Sequence, residues 1–238
     1  MARRDLIRPI FGAALGLGLA AAVLMPRLPA FAEAAPRRLP EAATRSSEAP
    51  GHHVAIFAGG CFWGVQGVFQ HVRGVSGAVS GYAGGARADA DYRTVSGGGT
   101  GHAEAVEVTY DPAVIRYDEL LRIFFSVALD PTQVDRQGPD QGRQYRSALF
   151  PRDAGQAQVA RAYIAQLDAA KTYARPIATR IEPEASFYPA ESYHQDFLAL
   201  HPDHPYIAAN DAPKLDALMR LFPERATPEP VLVNRPPA

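Results

Sequence analysis

Short apolar runs and amphipathic stretches alternate through the middle of this chain. VAIFA, Val54 to Ala58, is a continuous apolar run, the pattern of a strand buried on both faces. From Phe62 the apolar residues fall at positions 62, 65, 69 and 72, the stripe of a helix. Val75 to Tyr82 alternates with glycines and reads as a strand, and Ala103 to Tyr110 alternates more clearly still. YDELLRIFFSVA, Tyr117 to Ala128, is helical. Tyr145 to Phe150 reads as a strand stopped by Pro151. Asp153 with Gln156 forms a capping box before a helical face of Val159, Tyr163 and Leu167. Ile177, Thr179 and Ile181 suggest another strand, and Pro189 suits the first turn of a last helix through Leu200. The order β-α-β-β-α-β from Val54 to Phe150 is that of a ferredoxin-like, split βαβ unit. The expected fold is an α+β two-layer sandwich with helices covering a mixed sheet.

The ends read differently. A basic MARRDLIR, a small apolar run and Ala30-Phe31-Ala32 have the form of a signal peptide, 1–32, cleaved after Ala32. An uncleaved anchor is the alternative, and Arg3-Arg4 leaves the export route open. Residues 33–53 are rich in Pro, Ala and charge and read as a flexible linker, 54–224 as one domain, and 225–238 as a disordered tail. The formal charge of −1 gives no footing for nucleic acid. Cleavage removes four arginines and one aspartate, leaving −4, and points to a periplasmic protein. A monomer is expected.

The chain has a single cysteine, Cys61 in GGCFWG, so no disulfide forms within it. A lone thiol in an exported protein is either buried and inert or kept for its reactivity. Gly59 and Gly60 end a strand and Cys61 stands where the next helix begins, where helix N–H groups are expected to lower its pKa. Phe62 and Trp63 offer an apolar wall for a small alkyl group. Strand periodicity puts Glu104 on one face with Val106, Val108 and Tyr110. A carboxyl there is either desolvated and protonated near neutral pH, a general acid, or a strand-end group reaching solvent. His102 is a base, a ligand or a turn residue. His52, His53 and Cys61 match no common zinc spacing.

GGCFWG, GYAGG, DYRTVSGGGTGHAEAVEVTYDP, DPTQVDRQGPDQGRQYRSALF and FYPAESYHQDF, in that order, resemble the peptide methionine sulfoxide reductase A family from about Val54 to Phe222. The resemblance implies that Cys61 attacks the sulfur of a methionine S-sulfoxide, free or in proteins, and that Glu104 protonates its oxygen. It implies that Tyr92 and Tyr145 hydrogen-bond that oxygen, Asp140 helps to position the substrate, and Phe62 and Trp63 receive its methyl group. No metal or organic cofactor is required. Many members resolve the Cys61-type sulfenic acid with further cysteines near the C-terminus, which this chain lacks. An external thiol is then the partner: a thioredoxin-like protein, a glutaredoxin-like protein or glutathione. Gln66 and Leu129 stand where the family usually has Glu and His, and His194 reads as structural. A cysteine peroxidase and a non-catalytic module binding oxidised methionine are the competing functions.

Overall fold

The computed structural model describes residues 34–233, so the signal-type segment and the last five residues lie outside it. Six strands form the main sheet: β1 (His53–Gly59), β2 (Val75–Ala83), β3 (Ala103–Tyr110), β4 (Ser147–Phe150), β5 (Arg180–Ile181) and β6 (Phe187–Pro189). Their order is β5-β4-β1-β3-β2-β6. The central four, β4-β1-β3-β2, are antiparallel neighbours, the arrangement a split βαβ unit requires. β5 pairs with β4 in parallel, which makes the sheet mixed. The α+β reading holds.

The helices are α1 (Phe62–Gln70), α2 (Tyr92–Ser96), α3 (Tyr117–Ile123), α4 (Ala154–Ala169), α5 (Phe197–Leu200) and α6 (Ala212–Leu221). α3 continues through a π-helical turn over Phe124–Ala128. α1 and this turn cover one face of the sheet. There Phe57 of β1 stacks on Phe69 at 4.7 Å and meets Phe124 at 5.1 Å. Each such side chain contributes roughly 1.5–3 kcal/mol by leaving water. α4 begins where the capping pattern predicts, with the Asp153 carboxylate accepting from the Gln156 N–H at 2.7 Å.

Some elements depart from the periodicity. Tyr145 lies in a 3₁₀ turn, Arg143–Tyr145, before β4 rather than at its start. Pro189 does not open a helix. It ends β6, the edge strand, where a residue without an N–H is tolerated. α5 is a single turn, and α6 lies beyond the last helix read from the sequence.

Residues 34–50, expected to be a flexible linker, pack along the domain. Leu39 is 1% exposed. Leu39 N–H donates to Ser126 Oγ, Ala43 N–H to Gln166 Oε1, and the Tyr163 hydroxyl to the Pro40 carbonyl. Composition predicted flexibility, but the polar side chains of α4 and the π turn supply the partners that hold the segment down. The expected disordered tail is likewise anchored through its described part: Ala226 pairs with Val72, and the Thr227 and Val231 N–H groups donate to the His71 and Gln70 carbonyls.

Candidate active site

The turn after β1 sets the site. Gly60 has φ +90, and a side chain there would come within 2.5 Å of Gln137 Cβ, so both the conformation and the space call for glycine. Cys61 follows as the N-cap of α1 and its side chain makes no capping hydrogen bond. The sulfur is nearly enclosed, with the residue 9% exposed. It opens onto a cavity of about 190 Å³ lined also by Leu129, Gln137, Asp140, Tyr206 and Lys214.

Glu104 is 2% exposed, on the face its strand period predicts. Its carboxylate accepts the Phe62 N–H at 3.0 Å, so it occupies the first free donor of α1, one residue from the sulfur. Burial pushes its pKa up to about 8, with the charges of Asp140 and Asp211 adding and the Phe62 N–H opposing. The carboxyl is protonated at neutral pH. Glu107, on the opposite face, is only half-buried.

Cys61 corrects an expectation. Its pKa is raised, not lowered. Burial is the largest cause, and Glu104 and Asp211 add to it; the Trp63 N–H and Lys214 pull the other way. The helix terminus fails to win because Glu104 takes one of its N–H groups and the sulfur is buried.

Tyr92 and Tyr145 are half-buried and flank this pair. Burial and the charge of Glu104 raise both hydroxyls, with Cys61 and Asp140 contributing to each. Asp140 sits in a short hairpin, Arg136–Gln137 against Asp140–Gln141, and accepts a hydrogen bond from the Tyr206 hydroxyl. Phe62 is 1% exposed, packed against Tyr82 at 5.9 Å and His194 at 5.0 Å, so it backs the site from within the core. Trp63 is half-buried and stacks flat on Phe197, with centroids 3.8 Å apart.

Five residues of the site were not singled out from the sequence or were read there as structural. His194 accepts the Trp63 indole N–H at Nδ1, 3.2 Å, and lies 4.4 Å from the Tyr92 ring. Burial lowers its pKa, and its Nε2 is buried without a partner. Glu191 accepts from the Tyr92 N–H and the Tyr82 hydroxyl, both at 2.9 Å, and so fixes the start of α2. Tyr206, Asp211 and Lys214 arrive with α6 and the turn before it. Apolar residues at 215, 218, 219 and 222 carried a helical signal for that segment.

Other candidates lie elsewhere. Gln66 is fully buried on the far side of α1, donating to the Ala78 carbonyl and Gln195 and accepting from the Asp196 N–H. His102 is buried against Tyr82 and bonds the Ala86 carbonyl. His52 and His53 stand at the opposite end of β1 from Cys61, about 20 Å along the strand, so the three share no site. Among the described residues no group of three His, Cys, Asp or Glu could hold a metal ion.

A family description, "Peptide methionine sulfoxide reductase", matches residues 53–226, the whole sheet and all six helices. The chain is a member of the peptide methionine sulfoxide reductase family. It is 61% identical over 185 residues to "Peptide methionine sulfoxide reductase MsrA 2" of Mesorhizobium japonicum, covering 78% of this chain and 95% of that protein. It is 49% identical over 209 residues to a protein of the same name from Synechocystis sp., covering 88% and 98%. Among solved structures, Mxr1 of Saccharomyces cerevisiae in reduced form superposes with a TM-score of 0.60 at 32% identity, covering 68% of this chain and 92% of that one. Methionine sulfoxide reductase A of Corynebacterium diphtheriae gives 0.55 at 32% identity, covering 70% and 92%. The reductase is therefore an oxidoreductase acting on methionine sulfoxide.

Proposed function

We propose that the reductase converts methionine S-sulfoxide, free or in proteins, to methionine by nucleophilic attack of Cys61, and so repairs oxidised proteins. The observation that carries this reading is the buried carboxyl of Glu104, its pKa raised to about 8, held on the first N–H of the helix that Cys61, the only cysteine, caps. A sulfoxide oxygen gains negative charge as its sulfur is attacked. A neutral carboxyl can donate to that oxygen where a carboxylate would repel it. Tyr92 and Tyr145 are hydroxyl donors on the same flank, and Trp63 supplies an apolar surface for the methyl group.

In this reading the Cys61 sulfur bonds to the substrate sulfur while Glu104 protonates the oxygen. The oxygen then passes to Cys61, methionine leaves, and Glu104 takes back from solvent the proton that the thiol released before the attack. One S–O bond has moved. The substrate sulfur is reduced by two electrons and the Cys61 sulfur oxidised by two, to sulfenic acid. An external thiol condenses with the sulfenic acid, releasing water and leaving a mixed disulfide. A second thiol frees Cys61 as the donor disulfide forms. With no second cysteine in the chain, both thiols come from outside, whether from a thioredoxin-like protein, a glutaredoxin-like protein or glutathione.

Protein lacking residues 1–32, incubated with dithiothreitol and each epimer of a methionine sulfoxide peptide, is expected to form methionine from the S epimer alone. Turnover of both epimers, or consumption of peroxide in place of sulfoxide, rejects the reading. Export belongs to the same proposal, on the signal-type pattern of 1–32. Protein recovered from the periplasmic fraction is expected to begin at Glu33; an intact Met1 terminus there contradicts it.

A further inference from the structure

The C-terminal segment, free of cysteine, brings a buried ion pair to Cys61. Asp211 is 0% exposed, and its Oδ1 lies 3.0 Å from Lys214 Nζ. Its Oδ2 is buried with no hydrogen-bond partner. The carboxylate rests on the first turn of α1: a methyl group at Gly64 would come within 2.1 Å of Oδ1 and 3.0 Å of Lys214 Nζ. Lys214 also lines the cavity onto which the Cys61 sulfur opens. Neither residue contributes to the sulfoxide chemistry proposed above, yet a half-satisfied buried carboxylate is costly and calls for a reason.

We propose that Asp211 and Lys214 are a positioning pair that sets the protonation of Cys61. The two charges oppose each other at the sulfur. Asp211 holds the thiol protonated, and Lys214, facing the cavity, favours the thiolate. The carboxylate also anchors the ammonium there. The resting sulfur is thereby kept as a thiol, sheltered from non-specific oxidation, while a cation stands ready for the thiolate that must form at attack and again when the mixed disulfide is cleaved.

The other groups around the sulfur are Glu104 on β3, Tyr92 on α2, Tyr145 before β4, Asp140 in the hairpin and Tyr206 before α6. Burial and the charge of Cys61 raise the Tyr206 hydroxyl, with its hydrogen bond to Asp140 adding. Burial also raises Asp211 itself, opposed by Lys214. Of the charges acting on the sulfur, the carboxylates are Glu104 on β3 and Asp211 before α6, and the cation is Lys214 on α6. Changing one member of the pair should therefore move Cys61 in a direction fixed by sign alone.

The inference rests on Cys61 being the nucleophile but not on its substrate, so the test uses no sulfoxide. The rate of Cys61 alkylation by iodoacetamide is followed from pH 6 to 11 in the intact protein. Asp211→Asn, which keeps the shape and removes the negative charge, is expected to shift the midpoint down by about one unit, a tenfold gain in thiolate fraction below the midpoint. Lys214→Met is expected to shift it up by a similar amount, and Lys214→Arg to restore the wild-type profile. Lys214 is only partly buried, so the methionine variant provides a folded readout even if Asp211→Asn unfolds. No shift in folded Lys214→Met, or shifts of the same sign in both variants, overturns the proposal. Alkylation profiles that move as expected in a protein that reduces no sulfoxide would uphold this pair and reject the proposed function instead.

Discussion

Replacing Cys61 by serine is expected to lower methionine formation by at least ~10⁴-fold, the order of loss seen when a covalent nucleophile is removed. A serine hydroxyl is far harder to ionise in this enclosed turn. It has no sulfur to be oxidised by two electrons, so the oxygen of the substrate has nowhere to go. The same change should not unfold the protein. Cys61 occupies the N-cap of α1 without making a side-chain cap bond. Serine is a preferred N-cap residue, worth about 1 kcal/mol over residues that cannot cap. The variant is therefore expected to be at least as stable as the wild type in urea or thermal unfolding. Retained activity would remove the nucleophile from this account. Lost activity with lost stability would show only that the fold had failed.

Glu104→Gln should separate activity from stability in the opposite sense. In the folded protein the carboxyl titrates at about 8, whereas in the unfolded chain it titrates near 4.3. Between those values the unfolded state has released a proton that the folded state retains. Folding must take it up again, so stability falls as pH rises through this window and levels off above about 8. At pH 7 this costs roughly 3–4 kcal/mol, an order-of-magnitude figure for a group almost fully buried. Glutamine removes the cost and its oxygen can still accept the Phe62 N–H. The variant is expected to be more stable than wild type at pH 7, with the difference vanishing below about pH 4.

Its activity should fall by ~10²–10⁴-fold, the usual worth of a positioned general acid. The pH profile should change shape as well. Cys61 and Glu104 titrate as a pair, and the competent state carries one proton between them. Wild-type kcat/KM is then bell-shaped, with its acid limb near 8 and an alkaline fall when the pair loses its last proton. Glu104→Gln is expected to lose the alkaline fall and keep a single rising limb, that of the thiol. A variant with unchanged single-turnover rates and an unchanged profile would contradict the role.

Both expectations depend on features that differed in how plainly the sequence showed them. Glu104 was partly legible: strand alternation put it in phase with Val106, Val108 and Tyr110, but a strand-end carboxylate reaching solvent fitted the same pattern, and the structure buries it. The sheet was legible from β1 through β4, β1 from its continuous apolar run and β2 and β3 from alternation. The protonation of Cys61 was not. A helix N-terminus argues for a thiolate, and only the tertiary structure reveals that Glu104 takes the Phe62 N–H and that Asp211 lies over the same turn at Gly64. α6 carried a helical stripe, but nothing local indicated that it would return to the start of α1. The segment 34–50 looked mobile by composition, and its partners, Ser126, Gln166 and Tyr163, lie 80 residues or more further along the chain. Periodicity reports the face a residue takes; it does not report which distant polar group waits there.

The claim at the centre of the account is that oxygen moves from the substrate to Cys61. One equivalent of an S-sulfoxide peptide, mixed with reduced protein in the absence of any other thiol and quenched after a single turnover, tests it directly by mass spectrometry. The account predicts one equivalent of methionine peptide and one added oxygen atom on the Cys61-containing fragment, trappable with dimedone. Methionine formed while Cys61 remains unmodified would contradict it.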